Sequence, residues 1–266
     1  MQVEGQVVVV TGAGAGIGRS LCQRFHAEGA RAVIAVDLNG AAAAETAALV
    51  GGAAFTADVA SAADIARVVE ETEARFGPID LFCSNAGVAT ADPDPDNVAS
   101  APDAAWNRDW GINVMAHVHA ARVLVPRMRA RGGGYFLNTV SAAGLLSQIG
   151  SAIYATTKHA AIGFAESLAI THRDDNIRVS VLCPQGVDTE LLRRSEPNPA
   201  SLDGVLSVEQ VAQAVIEGLA EERFLILPHP AVLTYMQNKT ANYDKWIGGM
   251  VKLRRKVLAM KEAASA

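Results

Sequence analysis

At 266 residues and 27.8 kDa, half of them hydrophobic, the chain can bury one generous α/β core and is too apolar to be disordered. A net charge of −5 offers no basic face for neutralising phosphates, which argues against a nucleic-acid binder. No uncharged apolar run approaches the ~18 residues of a spanning helix, which argues against integral membrane association.

Strand-like runs lie near 7–11, 32–37, 53–57, 80–84, 134–140, 177–183 and 223–227, and helical patterns fill 17–28, 40–50, 61–76, 104–130, 152–173 and 207–221. Near-continuous apolar strands alternating with amphipathic helices predict a single-domain, doubly wound (Rossmann-like) α/β fold. Its seven-stranded parallel sheet is covered by helices on both faces, with a ligand crevice outside the strands' carboxyl ends. Residues 1–230 read as one domain with an integral substrate pocket. Residues 231–266 read as a helical extension packed on that domain or on a neighbouring subunit.

The first strand, Val7–Val10, runs into Thr11-Gly12-Ala13-Gly14-Ala15-Gly16-Ile17-Gly18 and then directly into a helix. Glycines let the backbone approach an anion closely, and the helix N-terminus offers unpaired N–H groups and a partial positive charge. Gly12, Gly16 and Gly18 are spaced G-x3-G-x-G rather than G-x-G-x-x-G, so the cluster by itself is also compatible with a plain turn. The second strand ends at Asp37, where a carboxylate can accept both hydroxyls of an adenosine ribose and repel a 2′-phosphate; this favours NAD over NADP. The duller reading of Asp37 is a helix cap.

Ala89–Asp103, with Asp92-Pro93-Asp94-Pro95-Asp96, is a loop with a solvated acidic rim, and Pro197-Asn198-Pro199 marks a second loop. Tyr154 and Lys158 stand four apart, one turn along one helix face, with Ser141 at the end of the strand before them. Each has a structural alternative: a surface pair for Tyr154 and Lys158, a cap for Ser141. Cys22, Cys83 and Cys183 are odd in number and embedded in apolar stretches, which reads as reduced core thiols in a cytoplasmic setting. No signal peptide is visible, because Val7–Val10 belongs to the first strand and Glu4 precedes it. His117 and His119 cannot share a helix face, and no other histidine has ligand spacing, so no metal is expected.

In order along the chain, Thr11–Gly18, Asp37, Asp58-Val59, Asn85-Ala86-Gly87, Asn113, Ser141, Tyr154-x3-Lys158 and Pro184…Thr189 resemble the short-chain dehydrogenase/reductase family from Val7 to about Leu227. The resemblance implies Tyr154 as general acid/base, Ser141 bonded to the substrate oxygen, and Lys158 on the nicotinamide ribose. It further implies that Asn113 holds a water of a proton relay. Gly12, Gly16, Ile17, Gly18, Asp37, Asp58, Val59, Asn85, Gly87, Val187 and Thr189 would contact NAD. It also implies a homodimer or homotetramer.

A phenol titrates near ~10, and one ammonium about 4–5 Å away supplies roughly 3–4 kcal/mol toward phenolate, so Lys158 is expected to do most of the tuning. Gln185 stands where the family usually has glycine, so the turn is expected to shift by one residue or Gln185 to reach toward substrate. The crevice residues Val88, Ala143, Leu145, Leu146, Gln148, Leu191 and Leu192 are mostly apolar and include no Lys or Arg. They suggest a neutral hydrophobic secondary alcohol or its ketone. The alternatives are a 3-oxoacyl-thioester reductase, which should need basic residues at the crevice mouth, and a non-catalytic NAD-sensing interaction protein. Trp246, Met250, Leu253 and Val257 form an apolar stripe opposed by Lys252, Arg254, Arg255 and Lys256, fit for packing on protein or, less simply, for peripheral membrane contact.

Overall fold

A computed structural model describes residues 1–194 and 198–265, with side chains described through 260; Pro197 of the second loop and Ala266 lie outside the described residues. The four valines that open β1 (Val7–Thr11) are fully buried, and the strand's period of two sends them alternately to two cores. Val7 and Val9 face one helical layer, Val8 and Val10 the other. A strand buried on both faces belongs in the middle of a parallel sheet, and β1 lies there.

The first half winds as α1 (Gly16–Ala27), β2 (Ala32–Asp37), α2 (Gly40–Leu49), β3 (Ala53–Thr56), α3 (Ala62–Phe76) and β4 (Leu81–Ser84). The helical run 103–130 follows as α4 (Asp103–Trp110), a π-helical turn (Gly111–Met115) and α5 (Ala116–Ala130), where the sequence pattern predicts one helix. Then come β5 (Gly134–Thr139), a 3₁₀ turn (Ala142–Gly144), α6 (Ala152–Thr171), β6 (Ile177–Leu182), α7 (Glu190–Arg193), α8 (Val208–Ala220) and β7 (Leu225–Ile226). The chain ends in α9 (Ala231–Ala241) and α10 (Tyr243–Ser265).

The seven strands are parallel in the order β3-β2-β1-β4-β5-β6-β7. The winding reverses between β1 and β4, so the crevice opens at the carboxyl ends of those two strands. Helices α3, α5 and α6 cover one face, and α1, α2 and α8 the other. Phe25, Phe82 and Phe136 are fully buried in these layers, each worth roughly 2–3 kcal/mol in removed apolar surface. Side-chain caps start several helices at the positions their chemistry favours: Asn39 for α2, Ser61 for α3, and a reciprocal Ser207–Gln210 box for α8. Asn39 being the cap of α2, Asp37 is left for another task.

Cys22, Cys83 and Cys183 are buried free thiols in separate places of the sheet and α1. Among the described residues, no helix is long and apolar enough to cross a membrane.

Candidate active site

The glycine-rich turn is packed as tightly as its sequence requires. Gly12 and Gly16 have φ of +64° and +52°, and a Cβ on Gly18 would lie 2.1 Å from the Gly12 carbonyl oxygen. The Asn85 side chain clamps the turn by donating to the Thr11 carbonyl (3.0 Å), while Thr11 Oγ1 accepts from the Asn85 and Ala86 N–H groups. Ile17 packs against the core beside α1. Helix α1 has no side-chain cap and no acid in its first turn, so its leading N–H groups keep their affinity for an anion.

Gly14 is a glycine the sequence spacing passes over. Its N–H donates to Asp37 Oδ2 (2.8 Å), and a Cβ there would stand 2.9 Å from that oxygen. The other carboxylate oxygen accepts from Asn39 N–H (2.9 Å), so Asp37 is aimed by two backbone donors with lone pairs to spare. Arg19 reaches the same turn but spends its guanidinium on the Gly14 carbonyl, Thr46 and Glu45. Asp58 caps its own turn through Ala60 N–H on the exposed rim beyond β3, and Val59 is buried beneath it.

Asn113 is fully buried in the π-helical turn, a distortion that often marks functional positions. Its side chain bonds both backbone groups of Val88 and donates to Thr157 Oγ1, tying the loop after β4 to α6. Beside it, a Cβ on Gly87 would meet Asn113 Oδ1 and Lys158 Nζ, each at 3.3 Å, so glycine here leaves room beside the lysine's ammonium.

Helix α6 is started partly from outside: Ala152 N–H donates to Asp92 Oδ1 (2.8 Å), so this acid of the 89–103 loop has a structural partner. The helix brings Lys158 into the interior, 3% exposed, with Nζ 5.5 Å from the centre of the Tyr154 ring. Among the described residues, the one hydrogen bond of this ammonium is to the Thr139 carbonyl at 3.4 Å. Burial lowers its pKa from 10.5 to about 8. Behind it lies His117, which burial, reinforced by the lysine's charge, pushes down to about 3, so the imidazole is neutral.

Tyr154 corrects one expectation. Burial raises its pKa above 10, and the hydrogen bond with Ser141 only partly offsets this. The Lys158 ammonium lies over the ring, 5.5 Å from its centre, and burial outweighs what favours the phenolate. Ser141 Oγ in turn accepts from Ala143 N–H (3.1 Å), which fixes the hydroxyl at the head of the 3₁₀ turn.

Val187 is buried and bridges to Leu206, while Thr189 caps α7 and lies against the open side of Gly16, 3.3 Å from where a Cβ would be. The loop after β6 thus approaches the glycine turn at Thr189. Gln185 does not take up a positive φ, so the strain expected of a side chain replacing glycine is absent. Its N–H donates to His229 Nδ1 (3.1 Å) and its side-chain amide to Asp203 (3.1 Å), which in turn accepts from the Tyr235 hydroxyl. It is Gly186 that permits the close approach, since a Cβ there would lie 2.8 Å from the Ala200 carbonyl oxygen.

A chamber of ≈ 590 Å³ opens beside Ser141 and Gln185. Of the residues expected at the crevice, Ala143, Leu146 and Gln148 line it; Val88, Leu145, Leu191 and Leu192 do not. Its far wall comes from α9 and α10, with Tyr235, Trp246, Met250 and Leu253. Lys245 also lines it, which corrects the expectation of a crevice without cations. That wall follows the last strand in the chain, beginning with α9, and nothing local in its sequence points to the chamber.

The glycine turn, the Asp37 carboxylate and the Ser141, Tyr154 and Lys158 side chains thus all follow the carboxyl ends of the parallel strands, where a doubly wound sheet holds its ligand. Residues 6–200 match the short chain dehydrogenase family, to which this chain belongs. It is 37% identical over 233 residues, 85% of this chain and 84% of the relative, to 1-deoxy-11-beta-hydroxypentalenate dehydrogenase of Streptomyces exfoliatus. It is 29% identical to epidermal retinol dehydrogenase 2 of Mus musculus, covering 85% of this chain and 75% of that one. Among solved structures it resembles a short chain dehydrogenase/reductase from Burkholderia phymatum in complex with NAD, with a TM-score of 0.80 and 28% identity, over 92% of this chain and 96% of that one.

Proposed function

We propose that this protein uses NAD to interconvert a hydrophobic secondary alcohol and its ketone. The observation that carries the reading is the buried Lys158 ammonium, 5.5 Å from the centre of the Tyr154 ring and with one long hydrogen bond among the described residues, close to Ser141, which lines a largely apolar chamber. An ammonium taken from water with a single long hydrogen bond calls for further polar partners, and ribose hydroxyls fit that need. The rest of the site fits the same group. The uncapped start of α1 with Gly12, Gly16, Ile17 and Gly18 suits a pyrophosphate, Asp37 an adenosine ribose, and Asp58, Val59 and Asn85 the adenine side. Gly87, Val187 and Thr189 suit the nicotinamide side. Bound NAD supplies the hydride acceptor or, reduced, the hydride donor.

The chain's own residues handle the proton. Ser141 donates to the substrate oxygen and fixes its distance from Tyr154. A phenol with its pKa raised keeps its proton at neutral pH and can give it to a carbonyl oxygen; alcohol oxidation reverses the transfer onto the phenolate. Asn113 holds the Val88 backbone and Thr157 in place, so the floor of the site is rigid.

The chamber's lining of Leu146, Trp246, Met250 and Leu253 favours an apolar substrate body. Lys245 favours a second reading in which that substrate also carries an anionic group, as does the name of the Streptomyces relative, built on a pentalenate.

The test is Tyr154→Phe with NADH and a panel of hydrophobic ketones. NADH binding, read by fluorescence, stays within a factor of two, and turnover falls by about 10³ or more. Near-normal turnover would remove Tyr154 from the proton transfer.

A further inference from the structure

The C-terminal segment is fastened to the serine loop by a side chain with no part in the chemistry described so far. Lys239 of α9 is buried, 8% exposed, and its ammonium meets no carboxylate among the described residues. It donates to the Leu145 carbonyl (2.8 Å) and the Leu146 carbonyl (2.9 Å), and it lies 3.3 Å from His159 Nε2. His159 Nδ1 is 2.8 Å from the Ala155 carbonyl, a contact that requires the hydrogen on Nδ1 and leaves Nε2 as an acceptor for the lysine. All three ammonium hydrogens are thereby used, and the charge also sits 5.6 Å from the centre of the Tyr243 ring, the first residue of α10.

The two carbonyls belong to the turn that begins at Ser141. Gly144 N–H donates to the Ser141 carbonyl, and the Leu145 and Leu146 N–H groups to that of Ala142, at 2.8–3.0 Å. The apolar side of this turn has the same partner: Ala142 and Leu146 form a small core with Val232, flanked by Tyr235, Met236 and Trp246. The segment that positions the Ser141 hydroxyl is therefore packed against α9 on one side and α6 on the other, where a Cβ on Gly144 would lie 2.6 Å from the Lys158 carbonyl oxygen.

We propose that Lys239 is a positioning residue: it latches the Ser141 turn to α9 and α10, so that the wall of the substrate chamber and the hydroxyl that orients the substrate oxygen move as one body. The proposal rests on the ketone–alcohol reading for its effect on turnover, but the latch itself can be read without turnover. A displacement of about 1 Å in a group that orients the reacting oxygen costs on the order of a hundredfold in rate.

The experiment uses Lys239→Met and Lys239→Gln in the full chain, with NADH and 4-phenyl-2-butanone as probes. In Lys239→Met, one NADH binds per chain with Kd within twofold of wild type. Hydrogen exchange at the amides of Gly144, Leu145 and Leu146 is at least tenfold faster, while that of α1 is unchanged. The kcat falls about a hundredfold. Lys239→Gln, which keeps a donor for one carbonyl, falls between the two and decides by the same criteria if the methionine variant is insoluble. Protection of the turn within twofold of wild type overturns the latch. So does loosening of α1 in step with the turn, or loss of NADH stoichiometry in proportion to activity, since the lysine then merely holds the fold. If wild-type protein leaves the ketone unreduced while exchange responds as described, the latch stands and the proposed reaction fails.

Discussion

Lys158→Met should make the cofactor-free protein more stable, not less. Among the described residues the buried lysine has one 3.4 Å hydrogen bond and no carboxylate partner, and its pKa falls from 10.5 to about 8. At ~1.4 kcal/mol per pH unit this drop corresponds to about 3 kcal/mol of stability forgone at neutral pH to keep a charge at that point. Methionine fills a similar volume without the charge, and replacing buried ions by apolar groups commonly stabilises. The expected gain near pH 7 is about 3 kcal/mol, or roughly 6–12 °C in Tm for a domain of this size.

The pH dependence carries the sign. Below about pH 8 the lysine is protonated both folded and unfolded, so the wild-type deficit is full and constant. Between about 8 and 10.5 the unfolded chain binds the extra proton, so wild-type stability rises with pH and the gap to the variant closes. Urea unfolding of both proteins, without cofactor, across this range reads the effect. A methionine variant as stable as wild type or less so near pH 7, or a gap that widens toward pH 10, would refute the reasoning. Its turnover should be lost despite the added stability, the exchange expected where a residue is retained for chemistry.

The other expectations concern the two ends of the site. Asp37→Ala, which leaves the Gly14 N–H without its acceptor and removes the repulsion of a 2′-phosphate, should weaken NADH binding about tenfold or more and narrow the preference over NADPH. A fluorescence titration with both nucleotides checks it, and a wild type that already prefers NADPH contradicts it. Cys22 and Cys183, pushed up to about 12 by burial, hold almost no thiolate at pH 8. A thiol reagent should therefore label them only as the protein unfolds, and rapid labelling of the native protein would show the sheet to be more open than described.

Much of this architecture was legible in local pattern. The valines of β1 and the glycine spacing after it act over a few positions, and their consequences followed from backbone sterics and burial alone. So did the placing of Tyr154 and Lys158 on one face of α6. The π-helical turn at Asn113 was not legible, because it depends on Val88 and Thr157, residues from a loop and a helix that only the fold brings together.

The sequence by itself determined the succession of strands and helices and the end of the sheet at which its motifs gather, since periodicity and covalent spacing are short-range properties; the roles proposed for Ser141, Tyr154 and Lys158 came with the family resemblance of those motifs. The tertiary structure decided the electrostatics and the walls. Desolvation raises Tyr154 where a charge-only estimate lowers it, and Gln185 escapes strain by leaning on His229 and Asp203. The chamber is closed by α9 and α10, whose Lys239 reaches carbonyls more than ninety residues away in the chain. Burial and long-range hydrogen bonds are sums over neighbours, and neighbours exist only once the chain has folded.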